Sequence, residues 1–401
     1  MRRPPALALL VLLVAAPGVA GATPSILQDP FFREEARLGL EQMYGMDFGL
    51  ADETFARLTA RYPDHPVGPY LQALLPWWGI QLEPDDPSQD EVVLDGMERV
   101  IDLCTERLES DPDDVDALFF KSGAHALRGR LHADRRRYLK AARDGQHALR
   151  LLREVVRLEP ENQDLAFGLG LFEYLSDVVP KHHRVLRPFA RLFPKGDKER
   201  GIAELERAMN TGQFVAAEAA FSLLQVHYVL EKDYEASLRY CAWLRARHPD
   251  NSIFHLFEGR IYERLGRLPE ADRVLREVLD RHAKGQSGYT DAMAERALYL
   301  LARTEMRQRR HDEALAALEQ LERLTASRPV LTEYKALARL RKGMLFDTLG
   351  RRDEAVRCYR DVLAIRGNYD GEEDVRIRAK GYLRKPFAST ASTASSAGSA
   401  G

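Results

Sequence analysis

Residues 257–279, FEGRIYERLGRLPEADRVLREVL, contain the pattern that decides the fold. Four residues set it, at intervals of three, four and five positions: Gly259, Tyr262, Gly266 and Ala271. The same intervals recur 84 residues later: Gly343, Phe346, Gly350 and Ala355. This spacing places small and large apolar side chains on one face of a helix. Each copy therefore predicts two helices joined by a short turn.

A second element of the pattern lies on the second helix of each pair, where a small residue is followed by apolar residues four and seven places on. Seven such trios begin at these positions: Ala51, Ala148, Gly201, Ala236, Ala271, Ala314 and Ala355. Small residues let two helix axes approach closely, whereas the apolar stripe is too large for one hairpin to bury alone. Neighbouring hairpins must stack, which predicts an all-α superhelical solenoid of about eight helix pairs.

Prolines give the predicted helix ends, because proline cannot continue a helix and restricts the residue before it. Four of them follow apolar periodic segments: Pro63, Pro112, Pro160 and Pro249. Residues 66–111 fit the pattern poorly, since Trp77-Trp78 and the proline-rich stretch 83–87 break its register. Trio spacing is also uneven, so helical repeats of about 40–47 residues remain the alternative architecture.

Over most of residues 31–366 this pattern resembles the tetratricopeptide repeat, whose pairs of helices stack into a solenoid. A narrower resemblance covers residues 167–209, which are similar to the tetratricopeptide repeat protein 39 and inclusion-body clearance family. The matching residues are Gly168, Gly170, Ser176, Pro180, Gly196, Asp197, Arg200 and Gly201. Both resemblances imply a fold of helical hairpins.

The two ends of the chain differ from this body in composition. Residues 1–22 combine Arg2-Arg3, an apolar run from Ala6 to Ala16 and a small-x-small site at 20–22, which predicts a cleaved signal peptide. The run is short for a membrane span. We therefore expect an exported protein, periplasmic or secreted and bacterial by composition. Residues 23–387 form the predicted solenoid, and 388–401, only Ala, Ser, Thr and Gly, are predicted to be disordered.

The sequence offers no pattern for catalysis, a cofactor or a metal. Gly168-Leu169-Gly170 lacks a third glycine and a preceding strand, so it predicts close helix packing rather than a dinucleotide loop. His125 and His132 can share a helix face, but no further ligand completes a site. With 59 basic and 61 acidic residues the charge is balanced, which argues against nucleic acid as a partner. We therefore predict neither an enzyme nor a cofactor.

The first helices of a tetratricopeptide-like solenoid line its concave side, and helix geometry predicts which side chains face that groove. Residues one, four and five places after the small residue, and three and six before it, share this side. The candidate partner-binding residues are Phe221, Gln225, Tyr228, Arg260, Arg264, Arg296, Tyr299, Arg303 and Arg307. Because arginine is a forked donor suited to carboxylates, we expect a protein or peptide partner, possibly an acidic segment or a chain-terminal carboxylate.

Two basic stretches leave alternatives open. Residues 128–143 carry seven basic side chains and predict a solvated helix face. Residues 181–200, interpreted as an insertion between paired helices, mix basic residues with Leu and Phe and could contact an anionic membrane surface peripherally or an acidic partner. The main hypothesis is a non-catalytic interaction scaffold. Binding of a lipid, glycan or small solute in the solenoid lumen, or an enzyme with an unrecognised site, are the alternatives.

Overall fold

The computed structural model describes residues 25–182, 194–328, 332–365 and 372–388, which contain helices and turns and no strand. Seventeen α-helices lie in these ranges: α1 (Pro30–Tyr44), α2 (Phe48–Arg61), α3 (Val67–Leu82), α4 (Asp90–Ser110), α5 (Val115–Asp134), α6 (Tyr138–Leu158), α7 (Leu165–His182), α8 (Lys198–Thr211), α9 (Ala216–Gln225), α10 (Tyr234–Arg247), α11 (Ser252–Leu265), α12 (Leu268–Ala283), α13 (Asp291–Arg307), α14 (His311–Ser327), α15 (Glu333–Thr348), α16 (Arg352–Ala364) and α17 (Glu372–Arg384). A short 3₁₀ helix (Ile26–Gln28) precedes α1, and α9 continues as a π-helix (Val226–Glu231).

Three sequence predictions lie wholly or mainly outside the described residues. They are the signal peptide at 1–22, the central part of the basic insertion (183–193) and the tail beyond residue 388. The ends of that insertion are helical, because α7 extends to His182 and α8 begins at Lys198. Among the helices described, none is both long and apolar enough to span a bilayer.

Local sequence signals set the helix ends. Side chains of Asp47, Asp114, Asp233 and Asn251 accept hydrogen bonds from backbone N–H groups of the first turn that follows them. All four proline positions predicted as stops follow the last helical residue closely, and α2, α4, α6 and α10 end at or before them. The predicted hairpin boundaries are confirmed.

Successive helices pack in eight pairs, with α17 following the last, so the predicted solenoid architecture is confirmed. Small residues permit the close approach within pairs. A Cβ on Gly259 would lie 2.8 Å from Leu275 Cδ2, and one on Gly170 would lie 2.9 Å from the Gly201 carbonyl oxygen. In the described part of α7 and α8 the Gly-Leu-Gly stretch therefore serves helix packing, as its context predicts.

The pair α3–α4, where the sequence pattern is weakest, forms two complete helices, and α3 lies in the core. The indole of Trp78 on α3 contacts three aromatic rings from other pairs, with centroid distances of 5.4 Å to Tyr44, 6.3 Å to Phe221 and 6.2 Å to Phe254. Only 2% of Trp78 is exposed. The periodic pattern fails here because α3 is packed against several pairs rather than on one face.

Polar contacts also join the first pairs to the middle of the solenoid. The Asn251 side-chain amide donates to the Tyr44 carbonyl oxygen at 2.9 Å, and the Ser287 hydroxyl donates to the Met46 carbonyl oxygen at 2.5 Å. Arg328, itself almost fully buried, pairs with Glu83 and with Glu295. These contacts connect the first two helix pairs to the segments at the starts of α11 and α13 and at the end of α14.

Candidate functional site

The first helices of three consecutive pairs, α11, α13 and α15, bring a set of arginines together. We call this set the arginine surface: Arg260, Arg264, Arg296, Arg303, Arg307 and Arg341. Five of these residues are sequence-predicted candidates, and Arg341 is an addition from the next helix. Candidates predicted to lie on one side of α11 and α13 do contact one another: Arg260 and Arg264 contact Tyr228, and Arg303 contacts Tyr299.

At one end of the arginine surface, two arginines of α11 hold Tyr228, which follows α9. The Arg260 guanidinium carbon lies 5.1 Å from the Tyr228 ring centre and 5.0 Å from that of Phe257. Arg264 Nε donates to the Tyr228 hydroxyl at 3.4 Å, and this hydrogen bond raises the pKa of Arg264. Cation–π contacts of this kind leave guanidinium N–H groups available to an anion.

At the centre, Glu263 of α11 holds two arginines of α13. Arg303 Nη2 donates to both Glu263 carboxylate oxygens, and Arg307 Nη1 lies 3.0 Å from Oε1 and 2.6 Å from the Glu263 backbone oxygen. Glu263 is 2% exposed. Arg303 and Arg307 are thus already bound to a carboxylate inside the protein. The sequence does place Glu263 on the groove side of α11. Helix periodicity does not predict that Glu263 pairs with arginines of another helix.

The third part of the arginine surface is built around Tyr299 of α13. Arg341 Nη2 donates to the Tyr299 hydroxyl at 3.1 Å, and the Arg303 guanidinium carbon lies 5.8 Å from its ring centre. Arg296 Nη1 donates to the backbone oxygen of Leu82 at 3.2 Å, which fixes it between α3 and α13. Burial raises the pKa of Tyr334, which packs on Tyr299 at 5.6 Å.

The two candidates on α9 are placed differently. Phe221 is buried in the aromatic core, 5.3 Å from Phe254 and 5.7 Å from Phe257. Gln225 is half-buried and accepts a hydrogen bond from Arg130 at 3.5 Å. Phe221 therefore supports the arginine surface from below through Phe257. A partner-binding role for either residue stays a prediction.

Four members of the arginine surface, Arg260, Arg264, Arg296 and Arg341, form no ion pair within the described ranges. Their contacts are to tyrosine rings, hydroxyls and one backbone oxygen. Several cations held close together without anions repel one another, and an incoming carboxylate relieves that repulsion. The arrangement is therefore suited to binding an anion.

A separate polar cluster lies between α5 and α6. His125 Nδ1 is 2.8 Å from an Asp144 carboxylate oxygen, and Arg128 binds the same carboxylate. Although burial opposes it, hydrogen bonds from His125 and Arg128 lower the pKa of Asp144. His132, predicted to share a face with His125, also approaches Asp144, at 3.9 Å. Nowhere in the described ranges do three or more His, Cys, Asp or Glu residues come together in a way that could hold a metal ion.

Family comparisons agree with this architecture. Residues 164–329 match the family model described as Iml2/Tetratricopeptide repeat protein 39, and residues 336–369 match a tetratricopeptide repeat model. These residues belong to the tetratricopeptide repeat superfamily. The match from residue 164 includes the segment in which the sequence analysis finds the narrower resemblance, and it spans α7 to α14 and most of the arginine surface.

Solved structures of tetratricopeptide repeat proteins are similar to the chain at low identity. A tetratricopeptide repeat protein from Parabacteroides merdae is 14% identical, with 78% of this chain and 99% of that chain covered and a TM-score of 0.35. Yeast Tom70 is 12% identical, with 90% and 82% covered and a TM-score of 0.41. No curated protein sequence is significantly similar to the chain.

Proposed function

We propose that the chain is an exported, non-catalytic scaffold whose arginine surface binds an acidic segment, or a chain-terminal carboxylate, of a protein partner. Tetratricopeptide repeats generally bind proteins or peptides. The proposal for this chain rests on one observation, which is that Arg260, Arg264, Arg296 and Arg341 have no ion pair within the described ranges. Export is inferred only from the composition of residues 1–22.

The chemistry of the surface favours a carboxylate over a neutral ligand. A guanidinium can give two parallel hydrogen bonds to one carboxylate, and Glu263 shows how such a group is held here. Tyr228 and Tyr299 are buried, so they hold the arginines in position and leave the contact with a partner to the guanidinium groups. Because Arg260 and Arg264 are already held by Tyr228, little side-chain entropy would be lost on binding.

The test uses the full mature chain and synthetic peptides of equal length: acidic with a free carboxyl terminus, acidic and amidated, and neutral. Fluorescence anisotropy should show binding of the acidic peptides, and Arg260→Ala/Arg264→Ala should weaken it by roughly tenfold or more. Arg357→Ala/Arg360→Ala, on the exposed face of α16, is the matched control and should bind normally. Equal affinity for the neutral peptide, or no loss in the Arg260/Arg264 variant, would refute the proposal.

A second candidate, binding of a lipid or small solute, is favoured by one cavity. A pocket of about 430 Å³ lies beside α3, and Leu75, Ile80 and Leu82 form much of its apolar wall. Its volume is within the range of small-molecule sites. Mass spectrometry of gently purified protein tests this: a stoichiometric copurifying lipid or solute, lost on Ile80→Trp, would support it, whereas ligand-free protein would not.

A further inference from the structure

Two outer helices, α4 and α6, carry opposite charges along their exposed faces. The acidic stripe on α4 consists of six exposed residues, Glu91, Asp95, Glu98, Asp102, Glu106 and Glu109, with one exposed cation, Arg99, on the same side. The basic stripe on α6 consists of five exposed residues, Lys140, Arg143, Arg150, Arg153 and Arg157, with one exposed acid, Glu154, which pairs with Arg157. Both sets recur at intervals of three or four residues, or of seven, so each follows one side of its helix.

These helices run in the same direction, because each is the second helix of consecutive pairs, and α5 packs against both of them. Arg157 near the end of α6 lies 2.5 Å from Asp113, just beyond the end of α4. Between them, Arg128 of α5 pairs with Glu98 on one side and Asp144 on the other. Both helices have 21 residues, a length of about 30 Å.

Most charges in the stripes are not neutralised within the protein. Asp95, Glu106, Lys140 and Arg143 form no ion pair among the residues that the structure describes. The arginines on the outer helix α12 behave differently, since each has a carboxylate within 3.0 Å, as Arg281 has in Asp250 at 2.8 Å. On α12 ion pairs therefore neutralise the arginines, whereas these charges of α4 and α6 stay available to a partner.

Charge complementarity identifies the partner. We propose that the chain forms a two-fold symmetric dimer in which the acidic stripe of each copy faces the basic stripe of the other. A two-fold axis parallel to the helices and between α4 and α6 places α4 of one copy over α6 of its partner, with both pairs parallel. Counted from the first residue of each helix, Asp95 matches Arg143, Asp102 matches Arg150 and Glu109 matches Arg157, while Glu106 falls opposite Glu154, whose charge Arg157 already pairs.

Two exposed apolar residues give independent support. Val92 on α4 is 54% exposed and Leu139 on α6 is 52% exposed, among the highest values for large apolar side chains in the described ranges. Both lie in the first turn of their helices. The same two-fold axis brings Val92 of each copy near the partner subunit's Leu139, and this contact would bury both.

Other anionic partners fit these stripes less well. A membrane of anionic lipids or a nucleic acid placed on α6 would also meet acids of α4, because Asp113 just beyond α4 contacts Arg157 of α6 and α5 packs against both helices. These acids repel a bound polyanion. A second copy instead satisfies both stripes at once.

Since exposed ion pairs are individually weak, we expect a reversible dimer with a Kd of roughly 10 μM that dissociates as salt rises from about 0.05 M to about 0.5 M. Sedimentation velocity of the full mature chain measures this. Asp95→Lys/Asp102→Lys and Arg143→Glu/Arg150→Glu should each be monomeric at concentrations where the wild type dimerises. The control Arg357→Glu/Arg360→Glu, on α16, should dimerise as the wild type does.

The decisive arm mixes the two variants in equal amounts. In the mixed dimer the Asp95→Lys/Asp102→Lys substitutions of one chain face the Arg143→Glu/Arg150→Glu substitutions of the other with opposite charge, so the mixture should form a heterodimer although neither variant self-associates. A wild type that stays monomeric at low salt, or variants that remain monomeric on mixing, would overturn the proposal. So would a wild-type dimer that persists in both variants, or monomeric protein that binds anionic vesicles through α6. Circular dichroism of each variant distinguishes loss of assembly from loss of fold.

Discussion

Arg303 of α13 donates hydrogen bonds to both carboxylate oxygens of Glu263 on α11, at 3.0 and 3.1 Å. This contact joins two consecutive pairs at the centre of the arginine surface. It also divides the surface into two arginines that an internal carboxylate already binds and four that have tyrosine and backbone partners. The two groups of arginines can therefore be tested by separate mutations.

Replacing Glu263 by Gln should therefore have two effects. Stability should fall by about 1–3 kcal/mol, because the buried side chain loses its negative charge and one of its two acceptor oxygens, and the new amide N–H groups face arginine donors. Binding of an acidic peptide should strengthen, since Arg303 and Arg307 become available. Urea unfolding and anisotropy measure the two effects. Glu270→Gln, which removes an exposed pair with Arg267, is the control and should change neither.

Trp78→Ala tests whether α3 belongs to the core. We expect a loss of about 3–5 kcal/mol, because the indole is buried against Tyr44, Phe221 and Phe254. Trp243→Ala is the comparison, since Trp243 is half-buried and covered by Arg247 at 3.7 Å. Its loss should be clearly smaller in urea unfolding. Similar losses for both would mean that α3 does not have the packing described.

Replacement of two glycines by alanine should change the stability of the protein in opposite directions. A Cβ at Gly201 would lie 2.6 Å from the Tyr174 backbone nitrogen, so Gly201→Ala must separate α7 from α8 and should cost about 1–3 kcal/mol. Gly49, in the first turn of α2, has open space around it, and Gly49→Ala should stabilise the helix by roughly 0.5–1 kcal/mol. Thermal and urea unfolding together check the signs. Destabilisation by both would contradict the packing account.

His255 predicts a pH dependence of stability. Burial lowers its pKa to about 3, and the charges of Arg245, Arg281 and Arg273 act in the same direction; its Nδ1 lies 3.0 Å from the Tyr289 hydroxyl. Because the unfolded histidine titrates near pH 6.5, the unfolded chain binds the extra proton between about pH 3 and 6.5. The stability from the neutral ring is thus complete above pH 6.5 and is lost as pH falls.

From pH 7 to pH 5 the wild type should lose about 2 kcal/mol through this one residue. His255→Gln keeps a hydrogen-bonding group for Tyr289 but cannot be protonated, so its decline over the same interval should be smaller by that amount. Urea unfolding at the two pH values gives the difference. Parallel curves for the two proteins would show that His255 is not the group responsible.

How far the sequence predicts the fold depends on whether a signal is local. Ala271, Leu275 and Val278 repeat at helical spacing, and the structure buries all three. The role of α3 is not predictable in this way, because two of the three aromatic partners of Trp78, Phe221 and Phe254, are more than 140 residues further along the chain. From the sequence alone α3 therefore resembles a degenerate repeat, although its apolar residues on several sides of the helix pack against different helix pairs.

The same distinction applies to the candidate site. Helix geometry predicted that Arg260, Arg264, Arg303 and Arg307 share one side of the solenoid, and the structure brings them together. It could not predict that Glu263 binds two of them or that Phe221 is buried, because both facts depend on the distance between helices. Pairing across helices is set by packing, which periodicity along one helix does not report.

Hydrogen–deuterium exchange of the full chain, with and without a saturating acidic peptide, tests the central claim most directly. The account predicts slower exchange in α11, α13 and α15, residues 252–265, 291–307 and 333–348, with little change in the outer helices α6 and α12. Protection confined to other helices, or none at a peptide concentration that saturates binding, would contradict the claim that the arginine surface receives the partner.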